Sequence, residues 1–157
     1  MAELSTSTAA ATSGFTRHRF ARWTGILAII AGAFMIVAGG VVWGVVSSQL
    51  AEQRITVAED SEWFPGAAVV DPFTALAEAN IINEHALHSS NGKTYAELDR
   101  EDPARTSVMN ASFLRTSLFT SVVSFGVSVF AMGTGLMFGL FGGALIALTP
   151  RSRASAA

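Results

Sequence analysis

The residues of this chain best suited to chemistry are one glutamate and two histidines within a short stretch, Glu84, His85 and His88. If the stretch is helical, Glu84 and His88 share a face four residues apart, and His85 lies three residues before His88. A carboxylate and two imidazoles are ligands that zinc or another divalent ion accepts. Polar residues on a solvated helix give the same spacing, so a metal site and a plain polar surface are both open.

Other patterns of catalytic residues are missing from the sequence. It contains no HExxH motif and no glycine-rich phosphate loop. The acid pairs stand at turns and helix starts, where capping explains them. With a pI near 5.9 and no basic cluster between the apolar runs, nucleic acid is excluded as a partner. We therefore expect no enzymatic activity, no catalytic residue and no cofactor.

Two long apolar runs must determine where the remaining residues lie. The runs from Trp23 to Ala51 and from Thr116 to Leu148 hold twenty-nine and thirty-three residues without a charge. About 20 apolar residues suffice to cross a bilayer as a helix. A hydrophobic content of 50% and a mean hydropathy of +0.44 also lie outside the range of soluble domains. The second run contains no ionisable residue, which argues against a proton or ion pathway.

The predicted fold is an all-α membrane protein, a two-transmembrane-helix antiparallel hairpin with a partly helical extracytoplasmic loop and an overlong second helix. Asp71-Pro72 and Asp102-Pro103 each pair a capping acid with a proline at the first helical position. The organisation we expect is a disordered basic cytoplasmic tail (1–22), a first transmembrane helix (23–46), an acidic extracytoplasmic loop region (47–115) with helices near 72–88 and from 103, a second long helix (116–148) with about 128–148 in lipid, and a cytoplasmic tail (149–157).

Small residues recur along both apolar runs at helical spacing. Such residues let two helix backbones approach closely, which matters in lipid because the hydrophobic effect does not hold helices together there. The two lines predict that the spans pack on each other, although packing on another protein would use the same residues. The predicted packing residues are Gly25, Gly32 and Gly39 on the first span and Ser121, Ser124, Ser128, Gly135, Gly139 and Gly142 on the second.

Tryptophans and arginines predict how the spans lie in the membrane. Trp23 and Trp43 are twenty residues apart, about 30 Å along a helix, and are expected to anchor the span at the two interfaces. Arginines before the first span and after the second place both termini in the cytoplasm of a cell (plasma) membrane. Residues 47–115 carry eleven acids against five bases, so the loop is acidic and extracytoplasmic.

Three stretches carry a resemblance to a known group of proteins. They are ITVAED (Ile55 to Asp60), NGKTYAELDREDP (Asn91 to Pro103) and MNASFLRTSLFTSVVSFGV (Met109 to Val127). The chain resembles small two-span actinobacterial membrane proteins of unassigned function over about residues 20–148. Proteins of this kind often carry the label of aromatic ring-opening dioxygenase. That activity needs an open iron site of histidines and a carboxylate in a roomy pocket, which His85 and His88 alone do not supply.

Two functions of different classes fit the sequence. The first is an integral membrane accessory or structural protein, without catalysis of its own, that docks on a larger membrane assembly such as a respiratory one. The second is a small envelope sensor or a ligand- or cation-binding module that uses the outer loop. The predicted partners are the lipid bilayer and either a larger membrane protein complex or further copies of the chain.

Overall fold

A computed structural model of the chain describes the backbone of residues 4–149 and the side chains of residues 18–149. It contains three helices within this range: α1 (Leu4–Gln53), α2 (Pro72–Ser89) and α3 (Arg105–Ala147). The described residues contain no strand. The expected all-α class is confirmed.

Helices α1 and α3 are each long and apolar enough to cross a membrane, over His18–Gln53 and Arg105–Ala147 respectively. Only 17% and 11% of their most apolar stretches are buried inside the protein. A core helix of a soluble domain would be mostly buried. Apolar side chains therefore cover the outer surface of both helices.

The beginning of α1 corrects one expectation. The sequence predicts a disordered tail over 1–22, whereas α1 begins at Leu4 and continues without interruption into the apolar run. The stretch 8–12 is rich in alanine, the best helix former, and no proline precedes residue 65. An existing helix can therefore extend toward the N-terminus without a new nucleus. Residues 1–3 and 150–157, including most of the expected C-terminal tail, lie outside the described residues.

The chain divides into two compact units, which are described separately. The first unit takes residues up to Ala38 together with those from Phe130 onward, and the second takes Gly39–Val129. In the first unit α1 and α3 run antiparallel, because Gly25 lies against Gly142 while Gly32 lies against Gly135. A Cβ atom built on Gly142 would stand 2.5 Å from the carbonyl oxygen of Gly25, so the two backbones touch with no room for a side chain.

The second unit has a side-chain core. Phe125 is completely buried and its ring meets that of Trp43 edge-on, with the centroids 4.6 Å apart. Val57 and Val69 from the connecting segment and alanines of α2 fill the same cluster. The hydroxyl of Ser47 donates a hydrogen bond of 2.5 Å to the carbonyl of Val70, which ties α1 to the residue before the α2 cap.

Helix α2 begins where its sequence requires. The Asp71 carboxylate accepts hydrogen bonds from the backbone amides of Phe73 and Thr74, and the Thr74 hydroxyl accepts one from the Asp71 amide in return. This reciprocal capping box satisfies amides that have no partner within the helix. The observed helix covers Pro72–Ser89, and the helix expected from the sequence covers residues near 72–88.

Candidate functional site

The most distinctive surface feature of the second unit is a cavity of about 340 Å³ beside α2, called here the acidic aromatic groove. One wall is the turn of residues 60–64. The other wall is α2, from which six side chains line the cavity: Phe73, Leu76, Ala77, Asn80, Ile81 and Glu84.

The turn that forms the first wall closes a short antiparallel pairing. The Val69 amide donates to the carbonyl of Ile55 over 2.9 Å, and the Val57 amide donates to that of Ala67 over 2.8 Å. Val57 and Val69 are each 1% exposed, so the base of the turn is fixed in the core. The turn itself is thereby held above α2.

Phe64 has an unusual backbone conformation. Its φ angle is +55°, in the left-handed region that bulky side chains rarely occupy. Gly66 follows with a φ of +70°, where glycine carries no steric penalty. Strain of this kind persists when the surrounding structure imposes it, and it concentrates at binding sites. Here it accompanies an aromatic side chain that lines the groove and is about half exposed.

The second wall is one face of α2. Phe73, Leu76, Asn80 and Glu84 are spaced by three and four residues, so their side chains form one stripe along the helix. All four are exposed, whereas Ala75, Ala79 and other residues of α2 are buried in the core. The stripe changes from aromatic and aliphatic at Phe73 and Leu76 to polar at Asn80 and acidic at Glu84.

Two contacts hold the turn against α2. The Ala58 amide donates a 3.0 Å hydrogen bond to the carboxylate of Glu78, a residue that is 9% exposed. The Nε2 atom of His85 lies 2.7 Å from the Oδ2 atom of Asp60. The hydrogen bond from His85 lowers the pKa of Asp60 below its ordinary value of 3.8. Both contacts lie at the start of the turn and hold it against α2.

The structure places Glu84 and His85 in surroundings other than a shared metal site. No group of three or more His, Asp or Glu side chains that could hold a metal ion occurs in the part of the chain the structure describes. The structure thus does not bring Glu84, His85 and His88 together as ligands. His85 is engaged by Asp60 from the turn, and Glu84 lines the groove, because adjacent helical residues point about 100° apart.

Four of the predicted packing residues, Gly25, Gly32, Gly135 and Gly142, lie where α1 and α3 touch. Gly25, Gly32 and Gly39 are all buried, as are Gly135, Gly142 and Ser128, which is 2% exposed. Ser121, Ser124 and Gly139 are half-buried. The predicted anchors differ from each other: Trp23 is exposed, whereas Trp43 is half-buried against Phe125 in the core of the second unit.

Sequence reasoning missed the aromatic residues of the groove. Trp63 and Phe73 are 67% and 68% exposed. The stretch EDSEWFPG contained the relevant pattern. Its two adjacent aromatic residues, Trp63 and Phe64, stand in an acidic turn, where they are not part of a helix that could bury them on one face. Large apolar side chains placed there are either covered by the fold or displayed for binding.

Comparisons with protein-family models, with curated proteins and with solved structures find no match to this chain.

Proposed function

We propose that this chain is an integral membrane accessory protein, without catalysis of its own, that docks on a larger membrane assembly through the acidic aromatic groove. The observation that carries the proposal is the exposure of Trp63, Phe64 and Phe73 around a cavity bordered by carboxylates. Aromatic side chains are enriched at the centres of protein interfaces because they bury large areas at little entropic cost.

The membrane part of the proposal is a two-span hairpin of α1 and α3. The proposed spans are residues 23–46 of α1 and about 128–147 of α3, which contain 24 and 20 residues without a charge and match the about 20 that cross a bilayer. Their contact uses glycine against glycine, the close backbone approach typical of helices packed in lipid. Their other faces expose large apolar side chains, among them Leu27, Ile30, Phe34, Phe130, Leu136 and Phe141.

The proposed location is the cell membrane, with both termini cytoplasmic and residues 47–115 extracytoplasmic. Arg17, Arg19 and Arg22 before the first span and Arg151 and Arg153 after the second support this orientation. The stretches quoted above support membership among the small two-span membrane proteins of actinobacteria. In this arrangement residues 47–115 lie outside the bilayer.

The partner segment that fits the groove is apolar and basic. The groove combines three aromatic side chains with the carboxylates of Asp60, Glu62 and Glu84. Residues 47–115 as a whole carry six more acids than bases. An aromatic face attracts an arginine or lysine, and the surrounding acids raise the rate of encounter with a basic segment. A second copy of this chain, which is equally acidic there, would be repelled.

Co-purification in mild detergent tests this proposal. The native chain should bring a partner in constant ratio, and the double variant Trp63→Ala with Phe73→Ala should lose it while its helical content is unchanged. Phe113→Ala is the matched control, because Phe113 is also exposed, at 66%, but does not line the groove. Retention of the partner by the groove variant and its loss by Phe113→Ala would move docking to α3 and refute the groove.

The same groove favours a second candidate function, the binding of a small organic cation by an envelope sensor. Its specific support is the combination of aromatic faces and carboxylates in a cavity of about 340 Å³, within the size range of small-molecule sites. Titration with choline should then change the fluorescence of Trp63, and the change should vanish in Trp63→Phe. An unaltered spectrum at about 10 mM choline, about ten thousand times a dissociation constant of about 1 μM, would refute this candidate.

A further inference from the structure

A second cavity of about 260 Å³ lies in the same unit, between the end of α2, residues 94–96 and the first turns of α3. It shares no lining residue with the acidic aromatic groove. No aspartate or glutamate lines it, although the unit around it is strongly acidic. This composition sets it apart from the rest of the surface.

Arg115 is the charged residue of this cavity, and its hydrogen-bonding capacity is unused. Its Nε atom is buried and has no hydrogen-bond partner among the described residues. The guanidinium lies over the ring of Phe119 at 5.2 Å from the centroid. That contact occupies the face of the guanidinium and leaves the donors, which point outward in its plane, without acceptors.

A nearby arginine of the same unit has both an aromatic contact and hydrogen-bond acceptors. Arg105 lies 4.2 Å from the ring centroid of Tyr95 and donates hydrogen bonds to the carbonyl oxygens of Leu98 and Tyr95. Arg115 has the aromatic contact but not the acceptors. Because Arg115 lines the cavity, an anionic oxygen there would supply an acceptor that its guanidinium lacks among the described residues.

The other walls define the rest of the ligand. Leu87, Val108 and Ala111 supply an apolar surface, and the side-chain amide of Asn83 adds a further donor. The hydroxyl of Ser112 is engaged, since it donates to the carbonyl of Val108 over 2.8 Å. The volume is below the roughly 300 Å³ at which drug-sized pockets begin. The cavity therefore suits a small molecule with one anionic group and an apolar tail.

We propose that this cavity binds a small organic carboxylate, with its two oxygens accepting hydrogen bonds from Arg115 and its tail against Leu87 and Val108. A planar carboxylate matches the fork of a guanidinium with two parallel hydrogen bonds. A phosphate or sulfate ion would gain the same charge contact but would leave the apolar wall without a partner. The inference does not depend on docking at the groove, because the two sites share no residue.

Isothermal titration of the full chain in detergent micelles with hexanoate tests the site. We expect a dissociation constant in the range of about 0.1–1 mM, as befits a ligand of eight heavy atoms. Hexanamide, which has the same shape without the charge, should bind at least about tenfold more weakly. Inorganic phosphate should not compete at equal concentration. Equal binding of hexanamide, or stronger binding of phosphate, would overturn the proposal.

Variants separate the site from general effects of charge. Arg115→Gln should weaken hexanoate binding about tenfold or more, whereas Arg100→Gln, which removes an exposed positive charge from the same unit, should leave binding unchanged. Should Arg115→Gln not fold, Ala111→Leu provides the same test by filling the cavity and keeping the charge. Hexanoate binding that survives the cavity variant unchanged would refute the site.

Discussion

The two units of this chain are packed by opposite means. In the first, the contact between α1 and α3 consists of backbone against backbone, at Gly25 with Gly142 and Gly32 with Gly135. In the second, large side chains are buried, with Phe125 at 0% and Val57 at 1% exposure, and side-chain hydrogen bonds join the segments.

The difference follows from what surrounds each unit in the proposed topology. In lipid, apolar side chains gain nothing by leaving the solvent, so close backbone approach and dispersion contacts hold helices together. In water, each buried apolar area of 100 Å² contributes about 2.5 kcal/mol, so a small module needs a side-chain core. The contacts between α1 and α3 are therefore made by glycines in the first unit and by Trp43 and Phe125 in the second.

The largest expected effect tests the side-chain core of the second unit. Phe125→Ala should destabilise the folded state by about 3–5 kcal/mol, because a fully buried aromatic ring leaves a cavity beside Trp43. Chemical unfolding of the purified protein in micelles measures the loss. Phe113→Ala on the same helix is the control, since its exposed ring should cost under about 0.5 kcal/mol. Equal losses would show that the second unit does not depend on this core.

The next effect tests the glycine contact. Gly32→Leu should destabilise the protein by about 1–3 kcal/mol or more, because its Cβ atom would collide with the carbonyl oxygen of Gly135 and lie 3.0 Å from the amide nitrogen of Gly139. Gly40→Leu is matched in residue type and helix, and a Cβ atom there has no atom within 4 Å. If Gly40→Leu is as damaging as Gly32→Leu, the close approach of α1 and α3 is not what holds the first unit.

A smaller effect is expected at the start of α2. Asp71→Ala removes the acceptor for the amides of Phe73 and Thr74 and should cost about 1 kcal/mol. Asp99→Ala, at an exposed acid whose side chain makes no such cap, should change the free energy of unfolding little. A silent Asp71→Ala variant would mean that the core, rather than the capping box, fixes where α2 begins.

The smallest effect concerns acid pH and a hydrogen-bonded carboxylate. The backbone amide of Thr94, followed by its hydroxyl, lowers the pKa of Glu97 below its ordinary value of 4.5. The unfolded chain binds a proton at Glu97 more readily, so this contribution is fully present above pH 4.5 and is lost as the pH falls through the lower, folded pKa.

Melting temperatures measured from pH 7 down to about pH 3 test this sign. Glu97→Gln should melt lower at pH 7 and show a shallower fall below pH 4.5 than the native chain. Glu101→Gln, in the same exposed segment, should follow the native curve. A Glu97→Gln curve parallel to the native one would contradict the assigned role of the Thr94 hydrogen bonds.

Local pattern in the sequence was sufficient to predict the helices. Charge-free length predicted α1 and α3, and Asp71-Pro72 predicted the start of α2, because span length and capping depend on neighbouring residues alone. The buried glycines at 25, 32 and 39 follow from a seven-residue repeat, which returns to the same face of a helix.

Features made by distant residues could not be predicted in this way. His85 meets Asp60 across twenty-five positions, and Trp43 meets Phe125 across still more, so neither pairing leaves a trace in local spacing. The metal hypothesis grouped Glu84, His85 and His88 by their spacing on α2, and the Asp60 partner of His85 lies outside that spacing. In the sequence Arg115 is one of five basic residues within 47–115, and nothing in local spacing indicates the cavity that it lines.

The central claim is that the chain crosses the membrane twice and presents residues 47–115 on the outer side. Because the sequence contains no cysteine, single cysteines at Glu101 and Ser152 give a clean comparison. On intact cells an impermeant maleimide should label Glu101→Cys at once and Ser152→Cys only after the membrane is opened. Labelling of Ser152→Cys alone would invert the topology, and equal labelling of both on intact cells would contradict the two-span hairpin.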